Sequence, residues 1–278
     1  MKLYSCWIVR LTVAGVLLLT QMRAAHGSVY VSSITNDIAD AFVTSGSGNN
    51  ANPSDNYGAA GALVVAGSAS ANGEFLSLVE FNLSAAKTAF DTQYGVGNWT
   101  VSSVRITLKS NFGIQGEQPS NLIFPSINTG GFSITWMTNN SWSEGTGTPS
   151  VPSVYPSSSG SLASDITFNN LTNFESGSDE ALGSFQYTPP GNNTNTPVNW
   201  SLNTGVSASG FTSAIAAGQN ISLLFSPTDT TVSYLFDSRT QSSYGPIFTI
   251  TAVPEPGVAS LILAGVVSLV VFSRRKSH

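Results

Sequence analysis

Cysteine and histidine are almost missing from the chain, which has one cysteine and two histidines in 278 residues. Cys6 and His26 lie near the start and His278 is the last residue, so residues 28–252 contain neither type. This stretch therefore cannot form disulfides, cysteine-ligated zinc sites, thiol nucleophiles or any triad that needs an imidazole base. At about 225 residues it is long enough to bury an adequate core without disulfides.

Basic side chains are also scarce in residues 28–252. Lys87, Arg105, Lys109 and Arg239 stand against fourteen Asp and Glu, which gives a net charge near −10. Binding a phosphate backbone requires clustered Lys and Arg, so we predict no nucleic-acid partner. An acidic balance at low total charge suits an extracellular protein that meets neutral glycans or divalent cations.

The first 27 residues have the pattern of a signal peptide. Lys2 gives a positive start, the stretch from Trp7 to Thr20 is mostly apolar, and Ala25-His26-Gly27 supplies small residues before a cleavage site. We predict that signal peptidase cleaves between Gly27 and Ser28. The chain is then exported, and the folded body begins near residue 28.

The C-terminal residues 253–278 combine a proline-rich motif, an apolar segment and a basic stop. The motif is Val253, Pro254, Glu255, Pro256 and Gly257, the predicted hydrophobic helix covers residues 258–273, and the basic tail 274–278 contains Arg274, Arg275 and Lys276. A short apolar run followed by arginines is a membrane anchoring pattern, in which the basic residues stay in the cytoplasm. An ordinary anchor helix is the alternative to the family resemblance that follows.

These three parts, in this order, resemble the PEP-CTERM sorting signal of Gram-negative bacteria. The resemblance implies recognition by an exosortase, cleavage near Pro254 to Pro256, and delivery to the cell surface or the extracellular polysaccharide matrix. Before processing, the C-terminal helix would anchor the protein in the membrane. Exosortase and signal peptidase are therefore the expected partners during export.

Between the two ends the periodicity favours β-strands. Val101, Val104, Ile106 and Leu108 alternate with polar residues, as in a half-buried antiparallel strand. We predict an all-β fold, a single antiparallel β-sandwich of jelly-roll type over residues 28–252, with short helical connectors at Ser84 to Gln93 and Phe211 to Ala217. The predicted strands are Val29 to Ile34, Ala41 to Thr44, Ala62 to Val65, Phe75 to Leu83, Val101 to Lys109, Phe132 to Met137, Asp165 to Phe168, Leu182 to Tyr187, Val198 to Leu202, Ile221 to Phe225, Val232 to Phe236 and Ile247 to Thr251.

The order of several short motifs in the body resembles the DNRLRE or disaggregatase-related β-sandwich family. The motifs are Asp40-Ala41-Phe42-Val43, Asn56-Tyr57-Gly58, Leu78-Val79-Glu80-Phe81-Asn82, Trp142-Ser143-Glu144-Gly145-Thr146 and Phe236-Asp237-Ser238-Arg239. The resemblance implies a non-catalytic domain that associates with polysaccharide. The family usually has Arg-Phe-Asp where this chain has Glu80-Phe81-Asn82, so a contact made by that arginine is absent.

Aromatic and acidic residues near the loops are the candidate site residues. Trp142, Tyr155 and Tyr187 lie in or beside polar loops, and exposed rings there would stack on sugars. Asp40, Asp55 and Asp237 are the candidate ligands of a structural calcium ion, which is the one candidate cofactor. The alternative is that such residues cap turns through their own backbone, and that Arg239 pairs with Asp40 or Asp237.

Two other functions remain open at this point. The first is a polysaccharide-degrading enzyme. A glycosidase needs only two carboxylates, and Glu117, Glu144, Glu175, Asp179 and Glu180 could supply them. A lyase could instead use Tyr with Arg or Lys, although four basic residues leave few combinations. A purely structural surface protein would need no ligand at all. We favour an exported, non-catalytic protein that touches polysaccharide, because no motif of a catalytic site is present in the sequence.

Overall fold

Alternating and continuous apolar runs form eleven strands, with two helices between them, in the part of the chain that is described. The structure is a computed structural model and describes residues 29–34, 37–46, 48, 51–58, 62–110, 123–145, 165–189, 196–239 and 245–255. Several predicted features fall outside these residues: the signal peptide with Gly27 and Ser28, Tyr155, Glu117, Pro256, Gly257, the segment 258–273, and Arg274, Arg275 and Lys276. Within the described ranges, none of the helices has the length and apolar character needed to cross a membrane.

The strands and helices follow the predicted positions closely. The helices are α1 (Ser84–Tyr94) and α2 (Ser209–Ala217), and α2 ends at Gly218, whose φ of 68° is left-handed. The strands are β1 (Tyr30–Ile34), β2 (Ala39–Thr44), β3 (Ala62–Ala66), β4 (Phe75–Asn82), β5 (Trp99–Lys109), β6 (Gly130–Met137), β7 (Glu180–Tyr187), β8 (Pro197–Leu202), β9 (Asn220–Pro227), β10 (Ser233–Asp237) and β11 (Ile247–Pro254).

The strands form two antiparallel sheets, as an all-β class requires. The four-stranded sheet has the order β1-β11-β5-β8. The seven-stranded sheet has the order β10-β3-β4-β9-β6-β7, and β2 pairs with β4. An isolated bridge between Ser110 and Phe236 connects the end of β5 to β10. The prediction of a mostly β body with short helical connectors is therefore confirmed.

One predicted strand is wrong. Residues from Asp165 to Phe168 form only a single bridge, between Ser143 and Asp165, and a short 3₁₀ helix follows at Phe168–Asn173. The apolar side chains of this segment are used differently from those of a strand. Ile166, Leu171 and Phe174 pack onto Leu76 and other residues of the seven-stranded sheet.

The strand β4 shows why the sheet is more buried than its sequence pattern indicates. Only Asn82 of this strand is exposed, although Glu80 and Asn82 alternate with apolar residues as in a half-buried strand. Phe75 joins a cluster with Phe42 and Tyr57, and Leu76 joins another with Trp142 and others. Both faces of the strand are covered. By contrast, β5 has the half-buried alternation that the sequence predicts.

Residue contacts divide the chain into two compact units. The first comprises residues 1–30, 90–100 and 252–278, of which 29–30, 90–100 and 252–255 are described. In it the Phe90 ring lies 4.8 Å from that of Trp99 and 5.8 Å from that of Tyr30. The second unit comprises residues 31–89 and 101–251 and contains both hydrophobic clusters and the candidate site.

Candidate functional site

Four of the short motifs that were noted in the sequence meet at one place in the second unit. They contribute Asp40 from β2, Gly58 from the loop after β2, Glu144 from the loop after β6, and Arg239 just after β10. Asp40 accepts a hydrogen bond from the backbone N–H of Arg239, and the Arg239 side chain bonds Glu144. A Cβ on Gly58 would overlap the carbonyl oxygen of Glu144. Residues separated by up to 199 positions are thus in direct contact.

The centre of this site is a pair of buried acids, Asp37 and Asp40. Their side chains are adjacent, and each residue is nearly inaccessible, with 4% and 1% of its surface exposed. Burial raises the pKa of Asp37 to about 10, and the charge of Asp40 adds to the shift. Burial also raises the pKa of Asp40 to about 7, although the Arg239 N–H, 2.6 Å from its Oδ2, favours the charged form.

An ion pair between Arg239 and Glu144 lies beside the acid pair. The Arg239 Nη2 atom is 2.6 Å from Oε2 of Glu144, and Nε donates to the same oxygen at 3.0 Å. The predicted partners of this arginine were Asp40 and Asp237. The salt bridge is instead with Glu144, while Asp40 receives only the main-chain N–H of Arg239. Burial raises the pKa of Glu144, and the arginine opposes that shift.

A buried asparagine, Asn56, packs against the turn that carries Glu144. The Asn56 side chain donates to the carbonyl of Ile166 at 2.8 Å and accepts from the N–H of Gly58 at 3.1 Å. Gly145 has a φ of +86°, which is left-handed, and a Cβ there would press on the Asn56 amide. The Asn56-Tyr57-Gly58 and Glu144-Gly145 motifs are therefore complementary in shape, which is a structural reason for their residue types.

The candidate calcium ligands do not share one set of contacts. Asp55 is partly exposed and accepts a hydrogen bond from the Asn52 side chain at 3.1 Å, while Asn52 accepts from the Ser54 N–H. This is the local turn capping that was the alternative to calcium. Asp40 contacts Asp37 and Arg239, and Asp237 is 2% exposed. The described part of the chain contains no group of three or more His, Cys, Asp or Glu placed to hold a metal ion.

The exposure expected for two candidate aromatic residues is wrong. Trp142 is 4% exposed, and its indole N–H donates to Ser222 Oγ at 2.9 Å. Tyr187 is 1% exposed, and its ring stacks on Tyr234 at 3.9 Å. Both rings are core residues in this structure, because sheet and loop segments distant in sequence cover them. Their faces are not available to a sugar.

Three of the carboxylates considered for catalysis lie in different environments. Asp179 accepts hydrogen bonds from the N–H groups of Thr138 and Ser176. Glu180 accepts from the N–H groups of Gly210 and Phe211, in the first turn of α2. Glu175 is exposed. Asp179 and Glu180 therefore have structural partners that explain their presence.

Two features of the structure have no counterpart in the sequence prediction. Asp37 was not considered, and its only signal is its spacing three residues before Asp40, across the start of β2. A surface groove of about 370 Å³ was not foreseen either. It is lined by residues 69–71, 125–128 and 231–233, and none of these side chains is charged. Such a groove cannot be recognised locally, because three distant segments form it.

The proline-rich motif begins inside the four-stranded sheet. Val253 and Pro254 are the last residues of β11, and the N–H of Glu255 donates to the Asn98 carbonyl at 2.9 Å. The predicted body ended at residue 252, so the strand continues two residues into the predicted sorting motif. The first two residues of the motif are thus part of a strand.

No protein-family model matches the chain, and no curated protein matches it.

Proposed function

We propose that the chain is an exported surface or matrix protein, sorted through its C-terminal signal by an exosortase, with a non-catalytic body that associates with polysaccharide. The single observation that supports this most is the meeting of Asp40, Gly58, Glu144 and Arg239. These residues belong to the motifs on which the DNRLRE-like resemblance rests. A chance collection of short motifs has no reason to form one connected network.

The proposed body is an antiparallel sandwich of jelly-roll type. Aromatic side chains of the two sheets face each other within the second unit, which supports this arrangement. The rings of Phe81 and Phe248 stack at 5.1 Å, and Phe132 meets Trp200 edge-on at 5.2 Å. Two sheets that bury aromatic side chains against each other form the core of a sandwich.

The uncharged groove is the proposed contact for a neutral polysaccharide. Its volume of about 370 Å³ falls at the small end of the range for ligand sites, which fits one or two sugar units. Ser126, Asn128 and Thr231 offer polar groups, and Pro125, Ile127 and Val232 offer apolar surface. In a body with a net charge near −10, an uncharged groove avoids repulsion of a neutral chain but gives no charge attraction.

Export and sorting are tested by the mass of the chain in its native host. We expect the intact mass from the envelope or medium to begin near Ser28 and to end between Pro254 and Pro256. A mass that retains residues 258–278 in the inner membrane would reduce the C-terminal segment to an anchor and contradict the sorting proposal.

Polysaccharide binding is tested by filling the groove. Ala71 lines it and is exposed, so Ala71→Trp should block it without disturbing the core. With neutral matrix polysaccharide from the host as probe, we expect Ala71→Trp in the full chain to lose at least about tenfold in affinity, equivalent to about 1.4 kcal/mol. Ala85→Trp, at an exposed position of α1 outside the groove, is the matched control and should bind normally. Equal binding by both variants would contradict the groove assignment.

A further inference from the structure

Asp37 and Asp40 present an unusual number of buried oxygen atoms without a donor. Apart from the contact between the two carboxyl groups and one between Asp37 and its own main chain, both oxygens of Asp37 and Oδ1 of Asp40 accept no hydrogen bond, and 4% and 1% of the surface of the two residues is exposed. Native proteins rarely leave buried polar atoms in this condition, and a bound ion is one arrangement that satisfies such atoms. Here three such atoms belong to two side chains in contact.

The charges around the pair do not balance. Arg239 is the positive group whose charge acts on both acids, but its guanidinium bonds Glu144, and its contact with Asp40 is through the main-chain N–H. Asp37, Asp40 and Glu144 therefore supply three carboxylates against one arginine when all are ionised. Burying a charge costs several kcal/mol unless it is paired. An acid pair without a compensating positive charge would therefore destabilise the folded state.

We propose that Asp37 and Asp40 bind a calcium ion. Calcium takes carboxylate and carbonyl oxygens together with water, and the three oxygens without donors are ligands of this kind. Histidine and cysteine, which zinc prefers, are absent from residues 28–252. Magnesium demands a stricter geometry and keeps most of its water, which suits a buried pair of carboxylates less well.

This site differs from the one expected from the sequence and is independent of polysaccharide binding. It retains Asp40, replaces Asp55 and Asp237 with Asp37, and uses two carboxylates, so main-chain oxygens or water must complete the coordination. The location gives the ion a structural role. Asp40 lies in β2 and bonds the main chain directly after β10, so an ion on this aspartate would stabilise the contact between these two segments.

Calcium titration of the full chain, purified in detergent and stripped with a chelator, is the first test. We expect calorimetry to show one site per chain, and a hundredfold excess over the dissociation constant to raise the melting temperature by about 5–10 °C. The same titration with magnesium should give a weaker response. No heat and no shift with calcium in the wild-type chain would overturn the proposal, and a shared proton between the two acids would then account for the pair.

A substitution gives a second test, in which the order of the melting temperatures of variant and wild type depends on calcium. Without calcium, Asp37→Asn removes a buried carboxyl group that lies against Asp40, and the variant should melt at the same or a higher temperature than the wild type. With calcium, the wild type should melt higher, and the variant should bind calcium at least about tenfold more weakly, a ratio equivalent to about 1.4 kcal/mol. Asp55→Asn is the matched control, since Asp55 is partly exposed and has a local turn contact. A wild-type response that Asp37→Asn leaves unchanged would place the ion elsewhere and overturn the assignment.

Discussion

Replacing Gly58 with alanine is expected to destabilise the protein by about 3 kcal/mol, at the upper end of the roughly 1–3 kcal/mol that overpacking typically costs, because the clash involves backbone. The new Cβ would overlap the carbonyl oxygen and the Cγ of Glu144, well inside van der Waals contact. Backbone is involved on the Glu144 side, so a change of rotamer cannot relieve the clash. The turn that carries Glu144 would have to move, and its ion pair with Arg239 would move with it. Urea denaturation of the full chain measures the loss as a lower midpoint at unchanged slope.

Gly177→Ala is the matched control for this experiment. A Cβ at Gly177 meets nothing within 4 Å, and the residue lies in an exposed turn. The same chemical change should therefore alter the free energy of unfolding by less than about 0.5 kcal/mol. If Gly58→Ala proves as mild as the control, the close approach of the two motifs is not a constraint on the fold.

Replacing Ser77 with alanine is expected to cost about 3 kcal/mol, because it leaves two buried backbone groups without a partner. The Ser77 hydroxyl accepts from the N–H of Val64 at 2.9 Å and donates to the carbonyl of the same residue at 2.7 Å. It thus takes the place of a neighbouring strand along this part of β3. Both residues are completely buried, so water cannot replace the hydroxyl. The measurement is the free energy of unfolding together with hydrogen exchange of the Val64 amide, which should become faster.

Ser133→Ala provides the comparison for Ser77. Ser133 is half-buried in β6, and its hydroxyl makes a long hydrogen bond of 3.4 Å to the Ser226 carbonyl. Loss of such a contact should cost no more than about 0.5 kcal/mol. Similar costs at both positions would show that the Ser77 hydroxyl does not act as a substitute for strand pairing.

Local patterns were sufficient to locate most strands and both helices. The alternation of Val104, Ile106 and Leu108 with polar residues predicts a strand with one solvent-exposed face, and β5 has this alternating burial. The end of α2 was recognisable from Gly218, which takes the left-handed conformation. Such signals depend only on residues close in the sequence, so they can be recognised without the tertiary fold.

The errors arose where distant segments decide the environment. Trp142 stands in a polar loop sequence but is buried on the seven-stranded sheet, in the cluster that contains Leu76 and Ile166. No residue near Trp142 in the sequence predicts those contacts. The partner of Arg239 was missed for the same reason, since Glu144 lies 95 positions away.

The candidate site could be predicted only in part. Asp40, Glu144 and Arg239 belong to recognisable motifs, but the contacts between them depend on the tertiary fold. Asp37 was missed because an aspartate before a strand usually belongs to a turn. Its burial against a second carboxylate is set by the packing of the whole second unit, which no local pattern records.

The position of β11 has a mechanical consequence. This strand leads directly into the proline-rich motif, and it lies between β1 and β5 rather than at an edge of its sheet. Tension applied through the C-terminus would act along the strand and load the hydrogen bonds on both of its sides together. Separating it would require shearing two rows of bonds at once, whereas an edge strand could be peeled away one bond at a time. Under the attachment at the cell surface that we propose, this arrangement would make the strand resist force.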